Sequence, residues 1–330
     1  MSTRRHVLAS LGAGLLAVPF ASFAREPGKP WRVGVLASRR RPDSLDTDYL
    51  GEIQRGLRDL GYVEGKDVAF EWRFANGAYE RLPALATELV GLKVDVIVTD
   101  GTPSTLAAQK ATRTVPIVFG GVGDPLGNGI VKSLARPGGN ATGLSLLGED
   151  TNRKQLELLS RMVPKLTRVA ALCNLSNPTT PPLLKSLQAA AREAGLEVFP
   201  VEARNAEEME SAFASLGKER AGALVVIMDP FFIQQGRRIA EMAEKRRLPS
   251  MASLQEYAES GGLMSYGQNR VYNYRRAAAY VDRILKGARP GDLPIEQSMK
   301  LELVLNRRTA KALGLEIPAE LLVLADKVIE

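Results

Sequence analysis

From Trp31 onward, short apolar runs rich in Val and Ile alternate with amphipathic stretches of helical period. The runs predict strands over 32–37, 68–74, 94–99, 115–119, 168–173, 197–201, 223–227, 249–252 and 263–265. Between them the spacing predicts helices near 49–60, 79–92, 104–111, 151–162, 181–194, 206–216 and 232–245, with a further one over 272–285. The strand runs are continuous rather than alternating, so both faces of each sheet should be covered. That is the pattern of α/β architecture with parallel sheets.

The order repeats. "VGVLASRR" at Val33 has a counterpart in "VAALCNLS" at Val169, and each is followed by glycine, strand, helix and an apolar strand ending near an aspartate, Asp100 or Asp229. A chain of 330 residues is long for one core. The expectation is therefore two similar doubly wound parallel-sheet lobes with a cleft between them. Such sheets bind ligands at the carboxyl ends of their strands. "ARPGGNATG" at Ala135 breaks a helix and suggests a boundary there, and "KGARPGDLPIEQ" at Lys286 suggests a second crossing. The expected division is residues 31–140 plus about 268–290 for the first lobe, and 141–267 plus about 300–330 for the second.

Residues 1–24 read differently: polar with Arg4-Arg5, then apolar from Val7 to Val18, then the small residues Ser22 and Ala24. That order is an export signal cleaved near Ala24, and "TRRHVL" resembles the twin-arginine motif. The expected location is the periplasm. The formal charge of +7 includes Arg4 and Arg5, and no Lys/Arg-rich helix or aromatic-interleaved patch follows, which argues against a nucleic-acid partner.

Two features restrict the chemistry. The only histidine, His6, lies in the export segment, which excludes Ser-His-Asp and Cys-His nucleophile systems and histidine-containing zinc sites from the mature chain. The single cysteine, Cys173, follows the apolar run 169–172 and reads as a buried, inert thiol. No P-loop and no G-x-G-x-x-G dinucleotide fingerprint is present. No catalytic residue, metal site or cofactor is assigned.

Candidate binding residues cluster at strand ends. In "DGTPS", Asp100 to Ser104, Thr102 is a good N-cap and Pro103 suits the first helical position, so free N–H groups could hold a carboxylate. Ser38 ends the first strand and precedes Arg39, Arg40 and Arg41, which form either an anion clamp or a solvated rim. Asp124-Pro125 suits a turn into a helix, where the carboxylate binds an amino group or only caps. Asp229-Pro230 repeats that design, and Asn174, Ser176 and Asn177 follow another strand end. Tyr266 in "GGLMSYG" is a pocket wall or hinge packing.

These segments, with "LGYVEGKDVAFEWR", "VDVIVTDGTPSTLAAQKATRTVPIVF", "GDPLGNGIVKSLARPGGNATG", "YVDRILKGARPGDLPIEQ" and "LVLNRRTAKALGLEIP", resemble the bacterial ABC-transporter substrate-binding proteins of the tryptophan/tyrosine type, with the type I periplasmic-binding-protein fold. The resemblance runs from Trp31 to Glu330. It implies a monomeric extracytoplasmic protein whose two lobes close on a small solute and dock on an inner-membrane permease. It places Gly101, Thr102 and Ser104 on the ligand-facing loop and suggests an amino-acid-like ligand. Asp124, Asn177 and Asp229 rest on lobe geometry alone. The Arg39–Arg41 run departs from the family pattern and would also fit a more acidic solute. The competing expectation is an enzyme using carboxylates in the same cleft.

Overall fold

The computed structural model describes residues 28–330, so the export segment lies outside the described residues. In chain order the strands are β1 (Trp31–Ala37), β2 (Val68–Phe74), β3 (Val96–Thr99), β4 (Ile117–Gly123), β5 (Ala141–Leu146), β6 (Arg168–Cys173), β7 (Glu197–Glu202), β8 (Ala223–Val226), β9 (Ser250–Ala252), β10 (Met264–Gln268), β11 (Glu296–Gln297), β12 (Leu301–Asn306) and β13 (Lys327–Ile329). They form two sheets, ordered β11-β5-β4-β3-β1-β2 and β13-β12-β10-β9-β8-β6-β7. The repeat seen in the sequence is therefore a repeat of topology: β6 to β10 stand in the same order as β1 to β5.

The pairings are parallel apart from β10 with β12, which run antiparallel. Each sheet is apolar on both faces, as the continuous strand runs require. On the first sheet, Val33, Val35 and Val98 pack against one helical layer, and Leu36, Ile97 and Phe119 against the other. On the second, Val169, Ala171 and Val225 face one layer, and Ala170, Leu172 and Leu224 the other.

The crossings differ from the expected boundaries. β5 pairs with β4, so the first lobe runs on to Leu146 instead of ending at residue 140. The helix Gly148–Met162 then packs Leu156, Leu159 and Met162 into the second core. After β10 the chain returns. The helix Arg270–Leu285 sets Tyr274, Ala277, Ala278 and Val281 against the first sheet, and β11 pairs with β5. From Leu301 it crosses once more, into β12 and β13. The expected helix at 232–245 is two, Pro230–Gln234 and Gly236–Lys245.

Two glycines make the β4–β5 edge possible. The register shifts between Phe119 and Val122, and the Tyr274 ring occupies the place a Cβ on Gly120 would need. Gly143 has φ +143, and a Cβ there would collide with the Phe119 carbonyl oxygen. Gly143→Ala is expected to cost about 3 kcal/mol or more in urea unfolding. Gly139→Ala, which meets nothing within 4 Å, should be neutral to within about 0.5 kcal/mol. Cys173 has no exposed surface, and burial pushes its thiol up to about 11. Ellman's reagent at pH 8 should leave the native protein unlabelled and should label it after unfolding.

Candidate functional site

All strands of the first sheet that matter here run parallel, so the segments after β1 and β3 emerge side by side. Asp100 follows β3 and is buried. Its carboxylate accepts from the Ser38 N–H (2.9 Å), the Ser38 hydroxyl (3.0 Å) and the Ser104 hydroxyl (2.8 Å). The Ser104 oxygen also accepts from the Gly101 N–H at 3.2 Å. The helix begins at Thr102 with Gly101 as its N-cap, one residue earlier than expected. The turn's own hydroxyls thus brace Asp100, and Ser104 has no proton left to give a ligand.

The matching place in the second lobe is Asp229, with no exposed surface. Oδ1 accepts from the Phe231 N–H (2.9 Å) and Asn174 (3.3 Å), and Oδ2 from Asn177 (3.0 Å). A fourth donor comes from the other lobe: the Tyr79 hydroxyl, 2.8 Å from Oδ2. Burial raises the Asp229 pKa, and the donors from Asn177, Tyr79, Phe231 and Asn174 oppose the rise. Burial together with the Asp229 charge pushes the Tyr79 phenol well above its ordinary range, so it remains a donor.

Further contacts join the lobes. The Thr179 hydroxyl donates to the Thr102 hydroxyl at 2.9 Å, and Arg40 and Gln234 exchange a pair of bonds at 3.0 and 3.1 Å. Ile233 packs on the first lobe's core. Beside this seam a cavity of about 160 Å³ opens in the second lobe, lined by Met228, Asp229, Phe232, Ser253, Leu254 and Tyr257 among others.

The structure thus brings Ser38, Gly101, Thr102 and Ser104 to one wall of the cleft, and Asn174, Asn177 and Asp229 to the other. Tyr266 stands apart, and Asp124 sits beside the seam: the Gly123 carbonyl before it accepts from Thr102, and Asn128 donates to both the Asp124 carbonyl and Thr179. Asp124 is exposed on a turn, with no helix after it, and accepts from the Gly127 N–H at 2.8 Å. Tyr266 packs against the second core, near Asp326 and Glu157. Tyr79 and Thr179 carry the contact between the lobes, and sequence reasoning missed them. Their only local signal is a polar group beside a predicted helix start. Among the described residues, no cluster of His, Cys, Asp or Glu could hold a metal ion, and no helix is long and apolar enough to cross a membrane.

Two similar sheets, chain crossings between them and a polar cleft at their strand ends define a two-lobed protein of the type I periplasmic-binding fold. The family model described as ABC transporter substrate binding protein matches residues 33–329, and the chain belongs to that family. A Clostridioides difficile protein named tyrosine-binding protein is 30% identical over 290 residues, covering 87% of this chain and 82% of that one. A Vibrio cholerae conserved domain protein is similar in structure, with TM-score 0.85 and 29% identity over 91% of this chain and all of that one. A Streptococcus pneumoniae ABC domain solved in complex with L-Trp is similar at TM-score 0.82 and 26% identity, with the same coverage of both chains.

Tyr79→Phe removes one donor from Asp229 and should cost about 1 kcal/mol of stability in urea unfolding. Asp229→Asn places an amide among four donors, and its Nδ2 can accept from none of them. It should cost about 2–4 kcal/mol, and equal losses for the two variants would contradict this account of the carboxylate.

Proposed function

We propose that the chain is the exported solute-binding component of an ABC importer, closing its two lobes on a small solute of amino-acid or aromatic-carboxylate kind. The observation that carries this reading is the seam at the strand ends: polar groups from both lobes meet around buried aspartates, within a chain of this family. The relatives named for tyrosine binding and solved with L-Trp support an aromatic amino acid as the solute.

The same seam speaks against the carboxylate-enzyme alternative. Asp100 is held by three donors from Ser38 and Ser104, and Asp229 by four. A general base needs an oxygen free to take the substrate's proton, whereas these carboxylates organise the walls around them. Closure then follows from the solute's preference for the state in which both walls touch it. The permease would recognise that closed shape. Export by residues 1–24 would deliver the protein to the periplasm, where it acts as a monomer.

The direct test is a thermal-shift and calorimetric screen of the purified protein against L-tyrosine, L-tryptophan, L-phenylalanine, aliphatic amino acids and aromatic carboxylates. At a hundredfold excess over Kd a ligand stabilises by about 2.7 kcal/mol, which should raise Tm by roughly 5 °C for a chain of this size. No shift with any of these, together with no small molecule released from gently purified protein in mass spectrometry, would overturn the reading.

A further inference from the structure

Around Tyr49, at the base of the first lobe's cleft wall, the protein buries two guanidinium groups and leaves them incompletely partnered. Arg39 follows Ser38 at the end of β1, and Arg270 opens the helix by which the chain returns from the second lobe. Both lie over the Tyr49 ring, with their guanidinium carbons 4.5 and 4.4 Å from its centroid. The Tyr274 ring packs beside it at 5.0 Å. Arg39 and Arg270 are only 4% and 5% exposed, and Tyr49 5%.

The partners fall short of what these groups require. Arg39 pairs with Asp48 through one terminal nitrogen, and its Nε has no acceptor. Arg270 donates to the Asp100 carbonyl (3.0 Å) and the Tyr274 hydroxyl (3.2 Å), and its Nε has no acceptor either. Among the described residues no carboxylate lies within 4.0 Å of it. The Asp100 carboxylate is taken up by Ser38 and Ser104, and Glu256 of the second lobe shares a groove with Arg270 without pairing to it. The Tyr49 hydroxyl is also buried and unpaired, and burial holds it in its protonated form. Three donors gathered round one ring therefore lack acceptors. Each such group costs about 1–3 kcal/mol when buried alone, and an unpaired guanidinium more.

We infer that Arg270, Arg39 and Tyr49 form an anion subsite of the cleft, which takes the carboxylate of the solute. The inference rests on the solute-binding reading above and deepens it. It places the carboxylate against the arginines at the lobe crossing, instead of on the Thr102–Ser104 helix start. The guanidinium edges supply charge-assisted N–H donors, and the Tyr49 hydroxyl adds a neutral one. Because Arg270 stands where the chain crosses between lobes, an anion bound there touches the segment about which the lobes move. The first of the three arginines that departs from the family pattern thereby has a role, while Arg40 and Arg41 stay at the rim.

The test compares ligands matched for everything but the carboxylate: L-tyrosine, tyramine, L-tyrosinamide and 3-(4-hydroxyphenyl)propionate, titrated calorimetrically into the whole protein. Tyramine and tyrosinamide should bind at least about 100-fold more weakly than tyrosine, and the propionate should bind better than tyramine. Arg270→Gln should weaken tyrosine about 30-fold or more and leave tyramine unaffected. Tyr49→Phe keeps the ring between the arginines and should cost about 5-fold. Equal binding of tyrosine and tyramine, or wild-type affinity in folded Tyr49→Phe, would overturn the inference and leave buried water as the acceptor. That comparison holds even where Arg270→Gln does not fold. If no aromatic compound binds, the same pairing is run with aliphatic amino acids and dicarboxylates against their amides. Carboxylate-dependent binding there supports the subsite while the aromatic reading fails; a preference for the neutral member, or no binding by any carboxylate, overturns it.

Discussion

Taking the Asp229 carboxylate out of water costs several kcal/mol unless donors replace the solvent. The donors that do so come from three separate stretches of chain. Asn174 and Asn177 lie beyond β6, the Phe231 N–H lies at the start of the helix Pro230–Gln234 after β8, and the Tyr79 hydroxyl belongs to the other lobe. The asparagines can reach the carboxylate because β6 and β8 are adjacent and parallel, which brings their carboxyl ends together. Once Asn177 is fixed by Asp229, its own oxygen accepts the Thr179 N–H, and Thr179 is the residue that meets Thr102 across the cleft. One buried charge thus orders a loop, and the loop sets the second contact between lobes.

Asp100 holds the equivalent position in the first lobe, and the difference between the two is informative. β1 and β3 are neighbours as β6 and β8 are, so the same topology delivers Ser38 to Asp100 and Asn174 to Asp229. Asp100 draws every donor to its carboxylate from within its own lobe, whereas Asp229 takes one from the partner lobe. Opening the cleft would leave Asp100 as it is and expose one oxygen of Asp229 to water. A bridge between the lobes thus rests on the second lobe's aspartate, whereas the first lobe's is held within its own wall.

The strands buried on both faces are legible in the sequence because nothing polar interrupts them. β1 and β6 are read to within a residue, and so is β2, an edge strand carrying Glu71 and Arg73 that is mostly half-buried. The strands that escape are those whose support is not local. β5, "ATGLSL", contains a glycine demanded by the approach of Phe119, and β11 is two polar residues paired only with β5. β12 is an antiparallel partner in a chain whose other signals are parallel. Missing β5 is also what set the expected lobe boundary at residue 140. The site divides in the same way. Strand-end residues such as Ser38, Asn174 and Asp229 announce themselves by position. Tyr79 bonds to a residue 150 positions away, and Arg270 to one 170 away, so no window of sequence contains both halves of either contact. Arg39 looks like one of three rim arginines until Asp48 and Tyr49 fold over it.

The bonds between the lobes are few and mostly neutral: Tyr79 with Asp229, Thr179 with Thr102 and with Asn128, and the Arg40–Gln234 pair. At about 1 kcal/mol net for each, they sum to a few kcal/mol, much less than either lobe's core supplies. Under the proposed function, a seam of that strength would open without disturbing the lobes, and a ligand of micromolar affinity would bring about 8 kcal/mol to it. The balance between open and closed would then depend on groups that are satisfied only when the cleft is filled. Asp229 is satisfied by the protein itself where the lobes meet, so it would favour closure with or without a solute. The unpaired Nε atoms of Arg39 and Arg270 are buried among first-lobe groups around Tyr49, and they carry their cost until an acceptor is supplied. In the inference drawn above, an anion at the arginines would remove that cost. The proposed closure on a solute would then combine a latch that the protein completes with a charge that it leaves for the solute to complete.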